Sequence, residues 1–118
     1  MRPILVVDDE DSLCELLVKA IERKGMPALK AKNGTQAIEI YKKHNPGCVL
    51  LDVKLPDMDG IEVFRRIKKF DPQANVYFVS GSDNKDFKET AKNLGASGYL
   101  VKPIVLEDVM TIIKKLGK

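Results

Sequence analysis

The 118-residue sequence predicts an α/β fold, a doubly wound, five-stranded parallel sheet with helices on both faces. Three observations carry that expectation. Apolar runs of strand length alternate five times with amphipathic stretches of helical period. Gly, Pro, Asn or Asp punctuates the joins between them. Four of the apolar runs also end abruptly in polar side chains, at Asp8-Asp9, Asp52, Ser80 and Lys102. Strands joined by right-handed crossovers lie parallel, so these ends share one edge of the sheet.

The elements follow in order. Pro3 to Val7 reads as the first strand, cut short by Asp8-Asp9. Ser12, with Glu15 three residues on, reads as a capping box opening the first helix. Its apolar stripe is Leu13, Leu16, Leu17, Ala20 and Ile21, and Gly25 is its stop. Pro27 to Ala31, with lysines at Lys30 and Lys32, reads as a weaker strand at the sheet edge. Asn33-Gly34 turns into a helix carrying Ala37, Ile38, Ile40 and Tyr41, which Asn45-Pro46 ends. Val49 to Leu51 has the length and β-branched start of a buried strand, and it runs into Asp52. Pro56, Asp57, Asp59 and Gly60 then turn the chain away. A third helix carries Ile61, Val63, Phe64 and Ile67 up to Asp71-Pro72. Asn75 to Val79 is the fourth strand, ending at Ser80-Gly81. Phe87, Ala91 and Leu94 mark a fourth helix stopped by Gly95. Gly98 to Val101 is the last strand, ending at Lys102-Pro103. Leu106, Val109, Ile112, Ile113 and Leu116 mark the last helix. The whole, residues 1–118, is expected to be one domain.

Composition narrows the function. The chain is 44% hydrophobic and 31% charged, without a long uncharged apolar segment, so neither a signal peptide nor a membrane span is expected. The cytoplasm is the expected compartment. Cys14 and Cys48 lie far apart with no Cys-x-x-Cys spacing and read as buried free thiols. Twenty basic against 17 acidic residues give a net charge of +3, too small and scattered for direct nucleic-acid contact. Asp8, Asp9, Glu10, Asp11 and Glu15 make the N-terminal end acidic, which suits a cation.

Asp52 alone reads equally as a turn former. Set beside Asp8 and Asp9, it makes a set of carboxylates that repel unless compensated. A hard divalent cation with oxygen ligands, Mg²⁺, answers that repulsion. Lys102 adds a mobile positive charge, and Ser80 a hydroxyl able to donate to a bound oxyanion. The combination suits phosphoryl transfer onto Asp52 by positioning and charge, with no dedicated general base.

These residues carry a resemblance over essentially the whole chain. Val6-Val7-Asp8-Asp9-Glu10, then Asp52 with Leu55-Pro56 and Asp59-Gly60, then Ser80, then Gly95-Ala96 through Tyr99 to Lys102-Pro103, resemble the response-regulator receiver domains of two-component signalling, the CheY-like family. The resemblance implies a flavodoxin-like fold and a phosphoacceptor Asp52 that takes its phosphoryl group from a sensor histidine kinase or phosphotransfer protein. It implies Mg²⁺ held by Asp9, Asp52 and the backbone carbonyl of Lys54, with Asp8 acting largely through water. It gives Lys102 a contact to the phosphoryl group, and it gives Pro103 a preceding cis bond. Ser80 and Tyr99 become a switch pair that remodels the fourth-helix, fifth-strand, fifth-helix face for an effector. A receiver of this kind is not an enzyme toward other molecules, touches neither nucleic acid nor membrane itself, and leaves dimerisation open.

Three positions depart from the family pattern. Leu55 stands where Met is frequent, and Gly81 follows Ser80 where Ala is usual. Lys54, two residues after Asp52, reads either as a solvated lysine or as a modulator of acyl-phosphate hydrolysis. His44 reads as a helix-terminus residue, and Met58 and Phe64 as packing. Three alternatives stay open: a haloacid-dehalogenase-like phosphatase, whose second Asp is Lys54 here; a flavodoxin-type FMN binder, which Asp8-Asp9-Glu10-Asp11 disfavours; and an interaction module independent of phosphorylation.

Overall fold

The computed structural model describes residues 2–81 and 85–116, with the side chains of 85 and 86 left aside, so the ends of the expected 1–118 unit lie outside the described residues. Strands β1 (Ile4–Val7), β2 (Ala28–Ala31), β3 (Cys48–Asp52), β4 (Val76–Ser80) and β5 (Gly98–Val101) alternate with helices α1 (Asp11–Arg23), α2 (Gly34–His44), α3 (Gly60–Phe70), α4 (Lys85–Leu94) and α5 (Leu106–Leu116). The strands form one parallel sheet in the order β2-β1-β3-β4-β5, with β2 at the edge as its lysines predicted. The chain moves outward from β1 to β2, then crosses back to β3. The β1/β3 boundary is therefore the topological switch point, where open α/β sheets place ligands.

Side-chain alternation divides the core in two. Leu5, Val7, Val49, Leu51, Val76 and Phe78 face α2, α3 and α4, while Ile4, Val6, Cys48, Leu50 and Val79 face α1 and α5. Strands buried on both faces read as continuous apolar runs, which is why β1 and β3 have no polar alternation. Each large aliphatic side chain buried here contributes about 1.5–3 kcal/mol. Phe78, fully buried, links the halves of the α2–α4 layer, its ring centroid 5.2 Å from Phe64 and 5.5 Å from Phe87.

The helix boundaries hold one correction. Helix α1 begins at Asp11 behind Glu10, with no side-chain cap, so the Ser12–Glu15 capping box does not form. A box-like arrangement opens α2 instead. Asn33 Oδ1 accepts from Gln36 N at 2.8 Å, and Gln36 Oε1 accepts from Lys32 N at 2.9 Å. Glu15 pairs across to Lys30 at 3.5 Å and Asp11 to Lys32 at 3.2 Å, which joins α1 to the edge strand. The α1 stripe is also rotated from the expected one. Cys14, Leu17 and Ile21 are buried, whereas Leu16 is 57% exposed. Gly25 and Gly95 follow α1 and α4 with φ of +85° and +93°.

Candidate functional site

The ladder delivers the expected residues to one place. Its hydrogen bonding continues past the strands, with Asp8 N donating to Ala31 O at 3.0 Å, Val53 N to Val79 O at 3.0 Å and Lys102 N to Ser80 O at 2.8 Å. These bonds fix the backbone on which Asp8, Asp52 and Lys102 sit. Beyond them opens a cleft of about 750 Å³ whose wall includes Asp9, Asp52, Lys54, Ser80, Gly81 and Lys102.

Asp8 and Asp52 are 3% and 6% exposed, whereas Asp9 faces solvent. One carboxylate oxygen from each of the three lies within 4.8 Å of the others. Lys102 Nζ bridges the buried pair, 3.0 Å from Asp8 Oδ2 and 3.1 Å from Asp52 Oδ2. Asp52 Oδ1 accepts from Lys54 N at 3.2 Å, so both oxygens of this carboxylate are held. Asp8 Oδ1 accepts from Glu10 N at 2.9 Å, and the Asp8 carbonyl accepts from the buried Cys14 thiol at 3.2 Å.

Burial pushes the Asp52 carboxyl up, the Lys54 amide and Lys102 ammonium pull it back only in part, and the charge of Asp8 adds to the rise. Burial pulls the Lys102 ammonium down, but its hydrogen bonds to Asp8 and Asp52 outweigh that and leave it above the ordinary lysine value. Both thiols are buried and inert. Burial, reinforced by Asp8, raises Cys14 to about 11, and burial raises Cys48 to about 12.

Three carboxylates against one ammonium leave two formal negative charges in a cleft lined with hard oxygen donors. That donor set fits a divalent cation of the Mg²⁺ type. The Lys54 peptide adjoins Asp52 through its N–H and pairs with Asp59 across the loop.

The loop after β3 is clamped at both ends. Gly60 N donates to Val53 O at 2.8 Å, and a Cβ on Gly60 would collide with the Asp52 carbonyl, so α3 starts directly against the strand end. Asp59 caps α3 by accepting from Ile61 N at 2.8 Å. Asp57, legible in the sequence only as a turn residue, accepts from Gly34 N, Thr35 N and Thr35 Oγ1 at 2.7, 3.0 and 2.7 Å. These bonds hold the carboxyl well down, at about 2. The pairing joins residues 22 and 23 positions apart, beyond the reach of any local pattern.

The remaining expectations sort as follows. Gly81 is exposed, and among the described residues open space surrounds the place where a Cβ would stand. Lys54 is exposed on the cleft wall, and His44 is exposed at the end of α2. Phe64 is buried and Met58 packs on the α2–α3 core. The Lys102–Pro103 bond is cis. Tyr99 is half-buried in β5, with Lys88 Nζ 4.8 Å from its ring centroid. No helix among the described residues is long and apolar enough to cross a membrane.

Fold and site together place an acidic, cation-suited cleft at the switch point of a doubly wound parallel sheet. Residues 4–114 match the response regulator receiver domain family, and the chain belongs to that family. It is 36% identical to sporulation initiation phosphotransferase F of Bacillus subtilis, covering 95% of this chain and 90% of that one. It is 34% identical to the chemotaxis protein CheY of Halobacterium salinarum, covering 95% and 93% respectively. Among solved structures, the response regulator TrrA from Thermotoga maritima in complex with Mg²⁺-BeF superposes with a TM-score of 0.85 at 29% identity, covering 98% of this chain and 99% of that one. The protein is thus a receiver domain of two-component response regulators, which displaces the phosphatase and flavin-protein alternatives.

Proposed function

We propose that Asp52 is the phosphoacceptor, working with Mg²⁺ held by Asp8, Asp9, Asp52 and the Lys54 carbonyl. The observation that carries this reading is the buried Asp52 carboxylate, held on one oxygen by Lys102 and on the other by the Lys54 amide, within a three-carboxylate cluster. A carboxylate oxygen attacks phosphorus, the P–N bond of a phosphohistidine on a histidine kinase or phosphotransfer protein breaks, and its electron pair leaves with the imidazole, which takes a proton from water. When bound, the cation neutralises the phosphoryl oxygens. Lys102 supplies a further positive charge, and Ser80, on the same cleft wall, donates its hydroxyl to a phosphoryl oxygen. The Mg²⁺-BeF complex of the Thermotoga relative supports the reading, because tetrahedral beryllium fluoride has the shape and charge of a phosphoryl group.

In this reading the domain is no enzyme toward other molecules and catalyses only its own phosphorylation and slow dephosphorylation. Ser80 and Tyr99 switch the α4–β5–α5 face toward an effector in the cytoplasm. Intact mass after incubation with a small acyl-phosphate donor tests this. A single Mg²⁺-dependent phosphoryl adduct, absent from Asp52→Asn, is expected. Equal adduct in the variant removes Asp52 as acceptor, turnover of phosphate esters removes the non-enzyme reading, and no adduct even from a histidine phosphotransfer donor favours the phosphorylation-independent module.

A further inference from the structure

At the pole opposite Asp52, α2 and α3 end side by side, in Lys42-Lys43-His44 and Lys68-Lys69-Phe70. Lysines in a last turn complement the helix dipole, and Lys68 also donates to the carbonyls of Pro72 and Ala74 at 3.3 and 2.7 Å. Neither effect accounts for Phe70. This ring is 54% exposed, edge-on to Tyr41 at a centroid distance of 6.4 Å, with Lys42 Nζ 5.6 Å from its centre. Two clefts adjoin along Phe70 and Lys42, about 350 Å³ toward Arg66 and Lys69 and about 490 Å³ toward Arg2 and Asp71.

Arg2 is the telling member. Its Nε donates to Asn45 O at 2.9 Å, and one terminal nitrogen donates to Asn45 Oδ1 at 3.1 Å and Pro46 O at 2.9 Å. Three neutral acceptors fix the guanidinium in place, and the Asp71 carboxylate of the same cleft feels its charge without forming an ion pair with it. Asp71 is committed to the Tyr41 hydroxyl at 2.7 Å, and among the described residues Lys42 and Lys69 form no ion pair. A pre-set guanidinium beside an exposed aromatic ring loses little freedom on binding a carboxylate, and a large ring is the usual anchor of a small interface. Asp71 within the patch, and Glu62 paired with Arg66 beside it, interrupt the run of positive charge that a nucleic-acid backbone needs.

We propose that this Phe70-centred surface docks an acidic segment of a partner protein bearing an apolar side chain among its carboxylates. Docking is expected to be independent of the state of Asp52, because the two surfaces share no lining residue. The test uses a fluorescein-labelled synthetic peptide of Glu with Phe and Leu at helical spacing, read by anisotropy and amide chemical shifts. Saturable binding is expected, with shifts confined to Arg2 and the last turns of α2 and α3. Affinity should fall at least about fivefold in Phe70→Ala and in Lys42→Glu, fall with salt, and stay unchanged after acyl-phosphate treatment. Both side chains are exposed, and retained phosphoryl-adduct formation shows that the variants fold. The proposal is overturned by no saturable binding, by shifts elsewhere, or by wild-type affinity in both variants. Tighter binding of a single-stranded oligonucleotide at the same residues, or self-association that Lys42→Glu abolishes, overturns it too.

Discussion

Lys102 holds the site together before any ligand arrives. Its ammonium lies 3.0 and 3.1 Å from two carboxylates that are almost wholly buried, so removing it leaves both charges uncompensated. Its pKa is raised in the fold, so its stabilisation is complete below the unfolded lysine value and fades only as pH rises through the folded one; the bridge is intact at neutral pH. Lys102→Ala is expected to cost about 2 kcal/mol in chelator, because one partly exposed partner is lost from a buried pair. Saturating Mg²⁺ restores most of that loss by mass action, while the phosphorylation rate stays at least about tenfold down. Urea unfolding with and without Mg²⁺ measures the first effect; equal losses in both conditions would refute the compensation argument. The identities of these residues were legible in the sequence, because a strand end fixes where Asp8, Asp52, Ser80 and Lys102 must lie. The bridge itself was not, since spacing along the chain says nothing of which oxygen an ammonium reaches.

Between elements, the loop after β3 is held by Asp57 against the first turn of α2, where the helix dipole also favours a carboxylate. Asp57 has its folded pKa depressed to about 2. Its contribution is therefore complete above the unfolded carboxyl value of about 3.9 and lost as pH falls through the folded value. Asp57→Ala is expected to unfold at lower temperature than the parent at pH 6, with the gap closing as pH approaches 2. Thermal scans across that range check it, and a gap independent of pH would leave the carboxylate no role. Element types and order were legible because the apolar periods of strand and helix differ. Helix starts were less so. Ser12 and Glu15 have the spacing of a capping box, but Asp11 and Glu15 are drawn to the edge-strand lysines while Asn33 and Gln36 form the bonds of a cap. The helix starts at Asp11, so Ser12 lies inside its first turn instead of at the N-cap, and the local signal has no cap position to act from.

Across the whole molecule, the proposed function requires that a charge placed on Asp52 be felt at α4, β5 and α5. The path is short. Ser80 ends β4 beside Val101, Tyr99 pairs with Phe78 two residues back along the same two strands, and Lys88 of α4 lies over the Tyr99 ring. Phe78 packs on Phe87 of the same helix. A hydroxyl drawn toward a phosphoryl oxygen at the strand end thus neighbours an aromatic side chain half-buried between strand and helix. One charge-assisted hydrogen bond contributes about 1.5–3 kcal/mol, enough to shift a two-state population by at least about tenfold. Ser80→Ala is therefore expected to form the phosphoryl adduct at Asp52 while losing most of the adduct-induced chemical-shift change at Tyr99, Lys88 and α5. Ser80→Thr, which keeps the hydroxyl, is expected to retain it. Should the alanine variant's adduct show the full wild-type shift pattern, the signal does not pass through this hydroxyl. Repacking of Phe87, which lines the cleft and packs on Phe78, is then the expected route from the proposed phosphorylation to α4.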